Sequence, residues 1–142
     1  MTVQVFDKKL EDFETKVSVS SCIMRCENKI LFIKNANTWR GKWTFPGGKA
    51  EADENPEQTL VREVFEEINM NLSEYRFLRR MFYRNPLYGD YEISYFEVIF
   101  DKIPEIKLSN EHLESGWFSL EDASKLDLIP GMKESLEMVF HE

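Results

Sequence analysis

The sequence predicts a mixed α/β (α+β) fold, an α/β/α sandwich in which a mixed β-sheet lies between helices. Strand patterns outnumber helical patterns and do not alternate with them as strict βαβ units. One strongly signalled amphipathic helix interrupts the strand patterns, and a second closes the chain. The 142 residues suit a single domain spanning 1–142.

The strand predictions are residues 16–25, 29–34, 43–45, 75–83, 91–100 and 116–119. The polar stretch 35–42 and the turn-rich stretch 85–90 read as loops. Residues 121–125 suggest a helical turn, and Pro130-Gly131 introduces a last helix. That helix carries an apolar stripe formed by Met132, Leu136, Val139 and Phe140.

The central helix has clear start and stop signals. Asn55 is a good N-cap, Pro56 suits the first helical position, and Gln58 completes a capping box. Asn69 is a suitable left-handed stop. The expected apolar stripe consists of Leu60, Val61, Val64, Phe65 and Ile68.

An acidic cluster on this helix is the main functional indication. Glu63, Glu66 and Glu67 stand at i, i+3 and i+4 and therefore share a helix face, which we expect to point outward from the apolar stripe. Like charges at this spacing destabilise a helix, and a bound divalent cation removes the repulsion. Hard oxygen ligands favour Mg²⁺ or Mn²⁺, ions that bridge proteins to phosphate oxygens.

A glycine turn and an acidic loop precede the helix. Gly47 and Gly48 follow Pro46, and their lack of side chains lets the backbone approach a ligand closely. The loop that follows contains Glu51, Asp53 and Glu54. Strand, glycine turn, acidic loop and capped helix together predict one phosphate- and metal-binding unit.

These residues resemble the signature of the Nudix hydrolases, G-x5-E-x7-R-E-U-x-E-E-x-G-U, where U is aliphatic. The matching positions are Gly48, Glu54, Arg62, Glu63, Val64, Glu66, Glu67 and Met70. Asn69 replaces the final Gly, and both residues tolerate the left-handed conformation. The lead-in GKWTFPGGKAE and the later EHLESGWFSLED are also similar to the family, and NPEQTLVRE is most similar to its MutT-type nucleoside triphosphate pyrophosphohydrolases.

The resemblance implies a set of residue roles. Glu63, Glu66 and Glu67 would be the main ligands of Mg²⁺ (Mn²⁺ as a substitute), joined by the Gly47 carbonyl and by Glu111. Arg62 would orient the carboxylates through Glu54, and either Glu63 or Glu111 would be the general base. The expected substrate contacts are Phe45, Gly48, Lys49, Glu54 and Tyr88.

Several residues also have plainer interpretations. His112 reads as a surface residue, and Trp43 and Trp117 read as core residues. Tyr91, Tyr95 and Phe45 fit either base stacking or packing. Cys22 and Cys26 should pack on the same face of a strand, because as metal ligands they lack partners.

Composition restricts the partners. A net charge of −8 disfavours a nucleic-acid polymer, which basic patches bind, and makes anion binding dependent on cations. No apolar run is long enough to span a membrane, and residues 1–16 are too polar for a signal peptide, so a cytoplasmic location is expected. A monomer and a homodimer both remain open.

The resemblance leaves the substrate open. We expect hydrolysis of a (d)NTP to the monophosphate and pyrophosphate. Pro86 matches a mark of ADP-sugar pyrophosphatases, although their usual additional N-terminal region does not fit this length, and Tyr88 matches a mark of dinucleoside polyphosphate hydrolases. A non-catalytic nucleotide sensor is the alternative of another class, disfavoured by the complete set of carboxylates.

Overall fold

The computed structural model describes residues 2–140, in which eight strands and three helices alternate irregularly. The strands are β1 (Gln4–Phe6), β2 (Thr15–Cys26), β3 (Lys29–Asn35), β4 (Trp43–Thr44), β5 (Gly47–Lys49), β6 (Arg76–Asn85), β7 (Gly89–Phe100) and β8 (His112–Phe118). The helices are α1 (Pro56–Ile68), α2 (Leu120–Ala123) and α3 (Met132–Phe140). No helix within residues 2–140 combines the length and the apolar character that a membrane span requires.

The sheet is mixed, as predicted. Its main order is β1-β6-β7-β2-β3-β4, and the long central pair β2–β7 is parallel while the other pairs are antiparallel. β2 and β3 pair only beside their connecting turn, at Arg25↔Ile30 and Cys26↔Lys29. Beyond that point the two strands diverge, so β5 pairs with β2 and β8 pairs with β3. This divergence brings the glycine turn into the sheet beside β2.

Helices cover both faces of the sheet, which confirms the sandwich. Leu60, Val64 and Ile68 of α1 pack on one face against a cluster that includes Cys22 and Phe96. The segment from α2 to α3 packs on the opposite face against a larger aromatic cluster. Cys22 and Cys26 are free and buried, in agreement with a packing role.

The predicted boundaries of α1 are confirmed in detail. Asn55 accepts a hydrogen bond from the Gln58 N–H at 2.8 Å, and the Gln58 side chain accepts one from the Asn55 N–H at 3.0 Å. Asn69 ends the helix in the left-handed region at φ 57°. The side-chain stripe differs from prediction at two positions, because Phe65 is half exposed and Val61 is only partly buried and belongs to neither core cluster.

The outward orientation expected for all three carboxylates of α1 is wrong for Glu67. This residue is buried together with Leu60 and Val64. The physical reason is helical geometry: Glu67 lies seven residues after Leu60 and three after Val64, so it continues the buried side of the helix. The acidic cluster therefore extends from solvent into the interior.

Strand boundaries differ from prediction mainly at the sheet margins. β1 was not predicted, and β8 begins four residues before the expected start at 116. The turn expected at Gly47 and Gly48 is wrong, because both residues pair with β2 as part of β5. The turn between β6 and β7 is short, because both strands extend into the stretch 85–90. Short, charged segments lack a clear apolar alternation, so their pairing depends on the neighbouring strand.

Candidate active site

A cavity of about 650 Å³ lies over β2 and receives residues from both ends of the chain. Gly47 pairs with Ser21 of β2, and Tyr91 pairs with Val17 of the same strand. Four strand residues separate these registers, so the glycine end and the tyrosine end lie about 13 Å apart along β2. The remaining lining comes from β6, β7 and the turn between them, from the β3–β4 loop, from Glu67, Glu111 and His112, and from the start of α3.

Gly47 directs its backbone polar groups away from β2. Pro46 accepts a hydrogen bond from the Cys22 N–H, and the Ala50 N–H donates one to the Ser18 carbonyl. Every second residue of an antiparallel strand bonds to its partner strand, so Gly48 bonds to β2 and Gly47 does not. The Gly47 N–H instead donates to Glu67 Oε1 at 2.6 Å. Its carbonyl points to the same side of the strand, as strand geometry requires.

Gly47 and Gly48 have no space for a side chain, for different reasons. A Cβ on Gly47 would lie 2.2 Å from the Ser20 carbonyl oxygen. A Cβ on Gly48 would lie 2.4 to 2.7 Å from the carboxylate atoms of Glu63. The first glycine is required by the backbone of β2, and the second leaves room for a carboxylate of α1.

Arg62 connects the acidic loop to the acidic helix. Its Nε and Nη2 donate to the two carboxylate oxygens of Glu54 at 2.7 and 2.9 Å. Its Nη1 donates to Glu63 Oε1 at 2.8 Å, and Nη2 also donates to the Lys49 carbonyl at 2.9 Å. Hydrogen bonds from Arg62 lower the pKa of Glu54 to about 2. The expected Arg62–Glu54 ion pair is therefore present.

Glu67 is a carboxylate in an environment that disfavours its charge. Its side chain is 8% exposed, and burial raises its pKa to about 9, against the opposing hydrogen bond from the Gly47 N–H. Glu63, Glu111 and Glu66 raise the pKa further by repulsion. Such a group gains most from a neighbouring cation, because the cation compensates both the lost hydration and the like charges.

The other two carboxylates of α1 are more accessible. Glu63 is largely buried, and this burial is the main reason why its pKa is raised, with Arg62 opposing. Glu66 is 52% exposed and lies 3.3 Å from Arg62 Nη1. The three side chains thus form a graded series from the interior to solvent, and Glu67 is the one that lines the cavity.

The donor set suits a hard divalent cation. It consists of oxygen atoms only, with a desolvated carboxylate at its centre and the Gly47 carbonyl directed to the same side. Within residues 2–140, no group of three or more His, Cys, Asp or Glu side chains is arranged to hold a metal ion as it stands. In this arrangement Glu63 forms an ion pair with Arg62, and Glu67 accepts a hydrogen bond from the Gly47 N–H.

Glu111 and His112 join the site from the β8 side. Glu111 lines the cavity, and its carbonyl accepts a hydrogen bond from the Ala36 N–H at 3.0 Å, which ties it to the β3–β4 loop. His112 was predicted to be a surface residue, and this is wrong: its side chain is 5% exposed, and Nε2 lies 3.4 Å from Glu67 Oε2.

His112 was missed because it is the first residue of β8, a strand that was predicted to start later. Its alternation with Glu111 would have indicated that one of the two side chains faces inward. Among residues 2–140, Nδ1 of His112 is buried without a hydrogen-bond partner, and burial lowers the pKa of the ring. Burial thus favours the neutral form of the imidazole beside Glu67.

The expected substrate contacts divide into two groups. Lys49 and Tyr88 are exposed side chains that line the cavity, and Gly48 lines it as well. The Glu54 carboxylate instead accepts a hydrogen bond from Arg62 Nε. Phe45 requires a correction: it is 2% exposed and packs on Phe32, with ring centroids 4.9 Å apart, so it is a core residue and does not reach the cavity.

The remaining aromatic residues are now assigned. Trp43 is buried in the core cluster, as predicted, and Trp117 is partly buried and packs against the opposite cluster. Tyr95 is buried, whereas Tyr91 is partly exposed, lines the cavity and stacks on Tyr83 with centroids 4.9 Å apart. Of the three aromatics left open by the sequence, Tyr91 alone combines cavity lining with partial exposure.

Comparisons with known proteins agree with this geometry. A family model described as NUDIX domain matches residues 14–139. The 8-oxo-dGTP diphosphatase of Escherichia coli (strain K12) is 34% identical over 74 residues, which are 50% of this chain and 57% of that protein. Nucleoside diphosphate-linked moiety X motif 6 of Mus musculus is 33% identical over 103 residues, which are 68% of this chain and 32% of that protein.

These alignments cover a third to just over half of the length of the two curated relatives. Among solved structures, the MutT protein from Methanosarcina mazei Go1 superposes with a TM-score of 0.76 at 24% identity. The superposition covers 92% of this chain and 96% of that one. At this identity the superposition supports the fold alone.

Proposed function

This chain belongs to the NUDIX family, and on that premise we propose that it is a hydrolase of phosphoanhydride bonds in nucleotides. The proposed substrate is a (deoxy)nucleoside triphosphate, cleaved by water to the monophosphate and pyrophosphate. The observation that carries the proposal is the buried carboxylate of Glu67, which lies between the Gly47 N–H and His112 at the edge of a cavity large enough for a nucleotide.

The chemistry requires compensation of negative charge on the attacking water, the bridging oxygen and the leaving phosphate. We propose that Glu63, Glu66, Glu67 and the Gly47 carbonyl hold Mg²⁺, with Mn²⁺ as a substitute. Divalent ions bound there would neutralise phosphate oxygens and lower the pKa of bound water. Arg62 would hold Glu63 and Glu54 in position through its hydrogen bonds to their carboxylates, and it would not contact the substrate.

Two carboxylates are candidates for the general base. Glu63 accepts a hydrogen bond from Arg62 at 2.8 Å, and its side chain is not among those that line the cavity. Glu111 is exposed, lines the cavity and acts on Glu63 and Glu67 by repulsion. We therefore assign the removal of the proton from the attacking water to the Glu111 carboxylate.

The rest of the cavity suits the nucleoside and phosphates. Lys49 is exposed and follows the glycine turn, where a cation would face the outer phosphates. Apolar residues of β2 and β7, among them Val17, Val19 and Ile93, form the floor between the glycine end and Tyr91. An apolar floor with a few polar groups at its ends is typical of small-molecule sites.

A dinucleoside polyphosphate is a second candidate, favoured by one observation. Tyr88 is the most exposed aromatic residue of the described chain, at 70%, and it lines the same cavity at the turn between β6 and β7. An exposed ring at the rim offers a contact for a second base. Such a substrate would extend past the cavity, which is consistent with its open side.

A substrate panel tests both candidates. Purified protein with Mg²⁺ is incubated with canonical and oxidised nucleoside triphosphates, ADP-ribose and dinucleoside polyphosphates in H₂¹⁸O, and the labelled products are identified by mass spectrometry. Release of pyrophosphate from a triphosphate supports the first candidate, and the labelled product identifies the phosphorus that is attacked. Tight nucleotide binding without turnover of any compound would overturn the proposal in favour of a nucleotide sensor.

A further inference from the structure

The β3–β4 loop, residues 36–42, is held rigidly by its own hydrogen bonds. The Asn35 N–H donates to the Lys42 carbonyl at 2.9 Å, and the Gly41 N–H donates to the Asn35 carbonyl at 2.8 Å. The Lys42 N–H donates to the Trp39 carbonyl at 3.0 Å, and Arg40 Nη1 donates to the Ala36 carbonyl at 2.6 Å. The loop therefore fixes the backbone of the residue at its tip, Trp39.

The backbone conformation of Trp39 and the exposure of its side chain are both energetically unfavourable. Its backbone lies in the left-handed region at φ 54°, which is uncommon for a bulky residue. Its side chain is 41% exposed, whereas Trp43, four residues later, is 9% exposed and packs in the core. Strained, exposed residues that the surrounding structure holds in place are concentrated at ligand sites.

The position of Trp39 connects it to the proposed active site. The residue lines the 650 Å³ cavity together with Asn37 and Thr38 of the same loop. The loop is joined to the active-site segment by the hydrogen bond from the Ala36 N–H to the Glu111 carbonyl at 3.0 Å. The indole and two hydrogen-bonding side chains thus line the same cavity as Glu67 and Glu111.

We propose that Trp39 is the stacking platform for the nucleobase of the substrate. The base is the one flat, apolar part of a nucleotide, and its face stacks favourably on an aromatic ring. Asn37 and Thr38 beside the ring supply donors and acceptors for the base edge. The proposal rests on the proposed function, because it assumes that the ligand of this cavity is a nucleotide.

Intrinsic tryptophan fluorescence tests the proposal without turnover. The wild type is titrated with a nucleoside 5′-(α,β-imido)triphosphate and Mg²⁺, and separately with tripolyphosphate and Mg²⁺. We expect the nucleotide to quench the fluorescence and tripolyphosphate to leave it unchanged. The quenching should disappear in Trp39→Phe, which retains Trp43 and Trp117 and still binds the nucleotide. Equal quenching by tripolyphosphate, or quenching that persists in Trp39→Phe, would overturn the proposal.

Steady-state kinetics provide the second readout. Trp39→Ala should raise KM about tenfold with a small effect on kcat, and Trp39→Phe should recover most of the loss. Leu120→Ala is the matched control, because Leu120 is also 41% exposed but lies on α2 and does not line the cavity. An unchanged KM in Trp39→Ala, with nucleotide turnover intact, would overturn the role of Trp39 and leave the proposed function standing.

Thermal stability separates a binding role from a structural one. Asn tolerates the left-handed region, so Trp39→Asn should melt at the wild-type temperature or above it while its KM rises. A residue retained for packing would give the opposite result, a lower melting temperature with unchanged KM. If the wild type turns over no nucleotide but the imido analogue quenches Trp39, the proposed reaction fails and the base site stands.

Discussion

The backbone of Gly48 lies directly against the carboxylate of Glu63. A Cβ at position 48 would stand 2.4 Å from Glu63 Cδ and 2.5 Å from its Oε2, closer than a Cβ atom approaches unbonded neighbours in folded proteins. The glycine turn of β5 and the acidic helix α1 are therefore fitted to each other at this point. This contact explains why glycine is needed there, although Gly48 lacks a positive φ.

Gly48→Ala should leave the fold intact and weaken metal binding. The obstacle is the end of a side chain, so Glu63 would rotate away, and we expect the apparent affinity for Mn²⁺ to fall about tenfold or more. Gly47→Ala is the contrasting variant, because its Cβ would meet the Ser20 carbonyl at 2.2 Å, and it should lower the melting temperature instead. Mn²⁺ titration by electron paramagnetic resonance and thermal melting measure the two effects. Wild-type Mn²⁺ affinity in Gly48→Ala would contradict the assignment of Glu63.

Glu67→Gln should stabilise the metal-free protein and abolish most activity. The ordinary pKa of a Glu is 4.5 and that of Glu67 is about 9, so at pH 8 the folded protein must retain a proton that the unfolded chain releases. Gln removes this cost, so the melting temperature without metal should rise. Turnover should fall by more than about 100-fold, beyond the effect of an outer partner of a metal ligand.

Magnesium provides the control for Glu67→Gln. Added Mg²⁺ should raise the melting temperature of the wild type more than that of the variant, since a ligand that binds only the folded state stabilises it. Glu57→Gln, on the first turn of the same helix, should retain the wild-type response to Mg²⁺. Equal shifts in the wild type and Glu67→Gln would remove Glu67 from the metal site.

Arg62→Lys should behave as a severe substitution although it keeps the charge. Lysine lacks the planar fork that bonds both oxygens of Glu54 while a third nitrogen reaches Glu63. We expect kcat to fall about 10- to 100-fold with a smaller change in KM, as for other residues that orient metal ligands. Arg25→Lys, which alters the ion pair with Glu97 outside the cavity, is the control and should keep wild-type kinetics. Normal turnover by Arg62→Lys would show that the fork is not needed.

The Arg84–Asp90 pair predicts a defined loss of stability in acid. Hydrogen bonds from Arg84 lower the pKa of Asp90 from 3.8 to about 2. A lowered pKa means that the unfolded chain binds the proton more readily, so the contribution is complete above about pH 4 and is lost as the pH falls toward 2. Asp90→Asn should therefore melt several degrees below the wild type at pH 6, with the gap closing toward pH 2.

Asp12→Asn is the matched control for Asp90→Asn. Asp12 also contacts Arg84, at 3.3 Å, but its side chain is 76% exposed, so its pair is screened by solvent and should contribute little. Chemical unfolding between pH 2 and 6 measures both variants. A constant difference between the wild type and Asp90→Asn over this range would show that Asp90 does not titrate with a lowered pKa.

Local signals in the sequence were sufficient for the elements that carry the site. The cap at Asn55 and the stop at Asn69 are determined by residues within a few positions of each other, and both are present. The Arg62–Glu54 pair follows from the same short segment. Such interactions depend on backbone preferences and helical spacing, which can be inferred from neighbouring residues in the sequence.

Burial was harder to infer from the same residues. Phe45 was expected at the substrate and lies in the core, and His112 was expected at the surface and lies beside Glu67. Alternation along a strand separates its two faces but does not say which face is covered. For Phe45 and His112, the packing of distant elements decided the outcome.

The sequence by itself determined the family and the capped helix that carries the acidic residues, because these depend on short-range spacing. The tertiary structure alone decided that His112, at the start of β8, lies beside Glu67, that Glu111 lines the same cavity, and that Trp39 lines it from the β3–β4 loop. These relationships join segments that are far apart in the chain. They arise because β2 and β3 diverge and admit β5 and β8, and such long-range pairing is set by the packing of the whole sheet.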